Sequence, residues 1–131
     1  MARSILPFLM FEGRAEEAMS FYVSLFADGR IDEIARYGAG QPGAEGSVRL
    51  ARFTVAGQSV MCIDSPAKHA FGFTPSVSLF ITCEDEAEFK TLTTALAEGG
   101  QWLMPPDDYG FSRRFGWCND RFGVSWQINL P

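Results

Sequence analysis

One order of elements is used twice along this chain, and that repetition limits the folds open to it. Residues 14–26 and 85–97 each carry apolar side chains at three- and four-residue spacing. That is the period of a helix with one buried face. Each helical stretch follows one β-type segment and precedes three more, giving strand–helix–strand–strand–strand twice over. The repeat is one of element order, since similarity between the halves is faint. The expected fold class is α+β: two βαβββ modules, about 4–65 and 75–130, within a single domain spanning 1–131. Side by side, two such modules make a curved eight-stranded partial barrel around a cleft.

Local signals place the elements. Residues 4–11 form a first strand, with Pro7 demanding an edge or an unpaired position. The first helix has Ala15, Ala18, Met19, Tyr22, Leu25 and Phe26 on one stripe, with Glu16 and Glu17 in the first turn where the dipole favours anions. Asp28-Gly29 is expected to end it, Gly29 taking a left-handed cap conformation. Residues 31–37 form a strand and 38–46 a Gly- and Pro-rich loop. Residues 48–55 and 59–64 form a hairpin about Ala56-Gly57-Gln58. After a loop over 65–75 come a strand at 77–83, the second helix and a short strand at 101–104 that Pro105-Pro106 break. Residues 111–118 and the final segment complete the second module.

The final segment, Gly123–Asn129, alternates Val124, Trp126 and Ile128 with Ser125, Gln127 and Asn129. Successive strand side chains point to opposite faces, so one face is apolar and the other polar. At 77–83 the same alternation sets Val77, Leu79 and Ile81 toward a helix and Ser76, Ser78, Phe80 and Thr82 toward the cleft. On the hairpin, Arg52 and Thr54 oppose Phe53 and Val55. Hydroxyls and amides walled by aromatic rings suit a small organic ligand. The bland reading is a cup filled by its own Phe and Trp side chains.

Composition removes several function classes. The net charge of −5 disfavours nucleic acid, which rewards clustered cations, and disfavours anionic membrane surfaces. Cys62, Cys83 and Cys118 are odd in number and widely spaced, which predicts reduced, buried thiols and a cytoplasmic setting. The apolar run near the start is too short for a transmembrane span and lacks a small-residue cleavage site, so no export signal is expected.

Several motifs need weighing. Gly38-Ala39-Gly40-Gln41-Pro42-Gly43 matches a dinucleotide-binding pattern, but a strand follows it where the fingerprint needs a helix. No cofactor is therefore expected. His69, the only histidine, sits in a loop with Phe71 and Phe73 and reads either as a general base or as an exposed loop residue. Asp64 and His69 are the nearest acid and imidazole in sequence, and Cys62–Asp64–His69 is a conceivable metal set. No Gly-x-Ser-x-Gly elbow exists, and Ser125 lacks an evident base, which argues against a serine hydrolase. The mixed-charge segment from Asp107-Asp108-Tyr109 to Arg114 reads as a rim gate, a dimer contact or a solvated loop and edge strand.

Pro7-Phe8-Leu9-Met10-Phe11-Glu12-Gly13, then Glu17-Ala18 and Phe21-Tyr22, resembles the opening of the vicinal oxygen chelate superfamily. That superfamily holds glyoxalase I, bleomycin-resistance proteins, fosfomycin-resistance enzymes and extradiol dioxygenases. Phe71-Gly72-Phe73 and the closing Trp117–Ile128 are similar to its PhnB-like, demethylubiquinone 3-methyltransferase-like branch. The resemblance implies a homodimer of paired βαβββ modules. Active members hold a divalent metal with His and Glu, and those positions fall near Pro7, near Cys62, at Ser76 or Ser78, and on Gln127. None is His, Asp or Glu, so no metal is expected.

The leading expectation is a metal-independent binder of a small aromatic or planar ligand. Its contacts would come from Arg52, Cys62, Asp64, His69, Phe71, Phe73, Ser76, Ser78, Ser125 and Gln127. Competing readings are a glyoxalase-type lyase or isomerase with a relocated metal, the methyltransferase of the branch name, and a structural dimer with a filled cup.

Overall fold

The computed structural model describes residues 1–131 and divides into two compact units, Met1–His69 and Ala70–Pro131. The first contains β1 (Phe8–Phe11), α1 (Ala15–Ser24), β2 (Arg30–Arg36), β3 (Val48–Val55) and β4 (Gln58–Asp64). The second contains β5 (Leu79–Thr82), α2 (Glu86–Ala97), β6 (Gln101–Asp107), β7 (Arg114–Asn119) and β8 (Ser125–Leu130). The fold is α+β, two βαβββ modules with one topology. The sheets run β1-β4-β3-β2 and β5-β8-β7-β6, each with its first strand parallel to its last. Neither sheet closes on itself. No helix is long and apolar enough to cross a membrane.

In the first unit, α1 buries Ala15, Ala18, Met19 and Tyr22. Tyr22 stacks obliquely on Phe53 of β3 at 6.1 Å between centroids, and Met19 meets Cys62 of β4 sulfur to sulfur at 3.9 Å. Burying a side chain of that size contributes about 2 kcal/mol. Arg14, at the N-cap, makes no side-chain cap. Asp64 at the end of β4 does that work instead, its carboxylate accepting from the amides of Gly13 at 2.8 Å, Ala15 at 2.9 Å and Val48 at 3.0 Å. A negative group at a helix N-terminus also complements the dipole.

Three expectations are corrected here. First, α1 ends at Ser24, and Gly29 lacks the expected left-handed backbone. A Cβ at Gly29 would lie 1.9 Å from the Val23 carbonyl oxygen, so close approach requires the glycine. Asp28 belongs to the hairpin: its carboxylate accepts from Ala56 and Gly57, both at 2.7 Å, where φ is 47° and 77°. Two left-handed residues suit a two-residue hairpin, and these bonds offset the strain at Ala56. Second, the first strand starts at Phe8 and not at residue 4, while the expectation for Pro7 holds: β1 is an edge strand, and Pro7 joins the ladder only through its carbonyl, which accepts from Met61 at 2.9 Å. Third, β6 runs through Pro105 and Pro106. It is an edge strand with register shifts, so two missing amide donors are tolerated there.

In the second unit, α2 packs on β7 and β8 through Phe89, Leu92, Thr93 and Leu96. Its start is capped by Asp85, whose carboxylate accepts from Glu88 at 2.8 Å. Trp126, Ile128 and Leu130 of β8 are buried on this side, with Cys118 of β7. Asp120, itself buried, organises the β7–β8 connection. One carboxylate oxygen accepts from Phe122 at 2.9 Å and Val124 at 3.0 Å, and the other from the Trp126 indole at 2.9 Å.

Removing this carboxylate strands three donors, two of them on buried residues. Asp120→Ala is expected to cost about 3 kcal/mol of unfolding free energy, read by chemical denaturation with Trp fluorescence. A loss below about 1 kcal/mol would show that water replaces the carboxylate.

Candidate functional site

The face of the second sheet turned away from α2 collects the polar side chains that alternate with its core. Ser125 and Gln127 project there from β8, Trp117 and Asn119 from β7, and Phe80 from β5. The register pairs Gln127 with both Phe80 and Trp117, so an amide stands between two aromatic residues. Just before β5, Ser78 reaches Ser125, with 2.7 Å between their hydroxyl oxygens. The Trp117 indole donates to Ser125 at 2.9 Å, and the Gln127 amide donates to Ser78 at 3.3 Å.

The donor order follows from these partners. Ser78 donates its one hydroxyl proton to the Pro75 carbonyl at 3.4 Å and accepts from Gln127, which leaves Ser125 to donate to Ser78 while accepting from Trp117. The two hydroxyls thus hold the Gln127 amide in place. A primary amide has two donors and an oxygen acceptor, and only one donor is engaged by Ser78. Gln127 itself is half-buried.

At the other end of the face the chemistry turns aromatic. Phe115 is buried beneath Phe111, at 5.0 Å between centroids, with Tyr109 at 6.2 Å and Phe80 at 6.4 Å. Phe80 and Phe111 remain 58% and 63% exposed, unusual for large apolar rings. Tyr109 is fixed by its hydroxyl, which donates to the Pro105 carbonyl at 2.6 Å. The Oδ1 atoms of Asn119 and Asn129, also on this face, are buried without a hydrogen-bond partner.

The residues that the sequence nominated fall in both units. Ser78, Ser125 and Gln127 come together. Ser76 does not join them: it is exposed in the turn before β5, its hydroxyl 3.0 Å from that of Thr74. Val77, expected against a helix, precedes β5 and is 72% exposed. Phe73 is half-buried, 3.7 Å from where a Cβ on Gly123 would lie, and Phe71 is exposed.

In the first unit, Cys62 is placed on the α1 side of its sheet, away from Arg52 and Met61. Asp64 is buried and spends its carboxylate on three backbone amides. Both side chains are buried within the first unit. Arg52 lies 3.5 Å from both Asp32 and Glu33. The Thr54 hydroxyl bond, more than the nearby arginines, holds Asp32 below the usual carboxylate range. His69 is exposed, its Nε2 2.8 Å from the Ser65 hydroxyl and its amide donating to Glu12 at 3.3 Å. The Gly38–Gly43 motif lies between β2 and β3, with no helix after it. The Gln41 side chain takes up the Gly38 amide at 2.7 Å, and the Tyr37 ring packs on Gly43.

A family model for 3-demethylubiquinone-9 3-methyltransferase matches residues 3–129. The chain belongs to that family. A PhnB protein from Bacillus cereus is 53% identical over 98% of this chain and 100% of its own, with a TM-score of 0.96. A Pseudomonas aeruginosa protein is 31% identical over 98% of both chains, with a TM-score of 0.85. A glyoxylase/bleomycin resistance protein/dioxygenase domain from Frankia, 12% identical over 99% of this chain and 92% of its own, shares the fold with a TM-score of 0.67. No curated protein matches the chain. This PhnB-like family member has the vicinal oxygen chelate fold.

The metal of that superfamily does not fit the residues present. No three His, Cys, Asp or Glu side chains are grouped to hold an ion. Gln127 and Ser78 are neutral groups bonded to each other, and Cys62 faces Met19. Burial, reinforced by Asp64, pushes the Cys62 thiol up to about 12. Burial, reinforced by Asp120, does the same for Cys118, to about 12, and burial with Glu88 and Asp85 raises Cys83 to about 11. Metal ligation and nucleophilic attack need the thiolate. All three cysteines are therefore expected to resist iodoacetamide in the folded protein at pH 8 and to react fully in guanidinium. Labelling of Cys62 in the native state would contradict its placement under α1.

Trp117 is the member of this candidate site that strand-by-strand alternation missed. Counting back around the Asp120 connection from Ser125 to Asn119 sets Trp117 opposite Gln127. The signal was the pairing of two strands, which a single strand does not contain.

Proposed function

We propose that this protein is a metal-independent binder of a small aromatic or planar ligand, held on the face of the second sheet turned away from α2. The observation that carries the reading is Gln127, an amide braced by Ser78 and flanked by Phe80 and Trp117 in the strand register. Ligand sites combine apolar walls with a few placed polar groups, and this face has both. The bleomycin-resistance part of the Frankia domain's name is in keeping with a binding role. The family name points to methyl transfer, but the one Gly-rich motif is closed by Gln41 and Tyr37 and offers no cradle for a nucleotide-based methyl donor.

Native mass spectrometry of gently purified protein tests the reading. The expected result is an added small organic mass and no retained divalent ion, with the added mass lost in Gln127→Leu while that variant stays folded. A retained divalent ion, or no added mass in either protein even after incubation with aromatic amides, would overturn it.

A further inference from the structure

We infer that the ligand is a planar aromatic molecule with an uncharged, N–H-bearing head, and that the site rejects anionic counterparts; this rests on the binding role proposed above. The face has two chemically distinct ends. At one, the Trp117–Ser125–Ser78 chain fixes the Gln127 amide, leaving its carbonyl oxygen and second N–H for a head that both donates and accepts. At the other, Phe111 and Tyr109 pack around the buried Phe115, and Phe80, beside Gln127 in the register, lies between the two ends with its ring exposed. Gln127 and Asn129 are two residue steps apart, about 7 Å at the usual rise, and Phe115 stands opposite Asn129. That spacing sets a short polar head beside a ring system.

The charges on this face decide the head. By strand register its one charged side chain is Asp107, opposite Phe115, and no Lys, Arg or His projects from it. Of the neighbouring cations, Arg121 in the β7–β8 connection lies over the Phe122 ring at 4.7 Å. Arg114 lies on the other side of the sheet, over the Phe89 ring at 5.5 Å, and Arg113 donates to the Pro131 carbonyl at 3.2 Å. A bound carboxylate or phosphonate would lose water without gaining a counter-ion. The Gln127 carbonyl oxygen is an acceptor that a donor-bearing head satisfies and a head carrying only acceptors opposes.

Isothermal titration of the intact protein with 2-naphthamide, 2-naphthoate and cyclohexanecarboxamide separates the claims. The amide and carboxylate share a ring system and differ in the charge and donors of the head; the third probe keeps the amide on a saturated ring. The expected order has 2-naphthamide tightest and each of the others at least tenfold weaker. Gln127→Leu should erase the preference for amide over carboxylate, and Phe80→Ala should weaken both naphthyl probes. Carboxylate binding as tight as amide binding would overturn the inference and leave the binding role intact. Equal binding of the saturated amide would overturn its aromatic half. Failure of all three probes to bind would remove the aromatic-ligand reading itself, and the inference with it.

Discussion

The carboxylate of Asp120 is the contact on which the candidate site depends. It bonds two turn amides and the Trp126 indole, so it sets both the β7–β8 connection and the first inward side chain after it. A strand has a period of two, and a slip of one residue exchanges its faces. With Trp126 held on the α2 side, Ser125 and Gln127 must project from the other. The neutral amide at the centre of the proposed binding surface is thus a consequence of a buried acid several residues away.

A second buried acid, Asp64, serves the first unit in a comparable way. It joins the end of β4 to the start of α1 and the start of β3. Both acids are functional-looking residues by type and structural by position. Satisfying buried donors at chain reversals is expensive to forgo. That cost explains why these carboxylates lie inside a largely apolar core.

The sequence disclosed what is local and concealed what is paired. Both helices and the two-faced character of the last strand followed from periodicity, because helix and strand spacing differ. Asp64 was misread because its partner amides include Gly13 and Ala15, far back along the chain. Cys62 was misplaced for a different reason. Val60, Met61, Cys62 and Ile63 are apolar in succession, so alternation cannot say which set lies under α1. Pro105-Pro106 looked like a break because the strand's position at a sheet edge is a tertiary fact. Trp117 required the hairpin register, which the Asp120 turn supplies.

The central claim concerns one face of one sheet, and the two tryptophans of β7 and β8 report on its opposite sides. The most direct measurement is the indole N–H pair in a nitrogen–proton correlation spectrum during titration with 2-naphthamide. Binding at the proposed face should shift the Trp117 indole and the Gln127 side-chain amide while leaving the Trp126 indole, bonded to buried Asp120, in place. Binding that shifts Trp126 and leaves Trp117 and Gln127 unmoved would contradict the account.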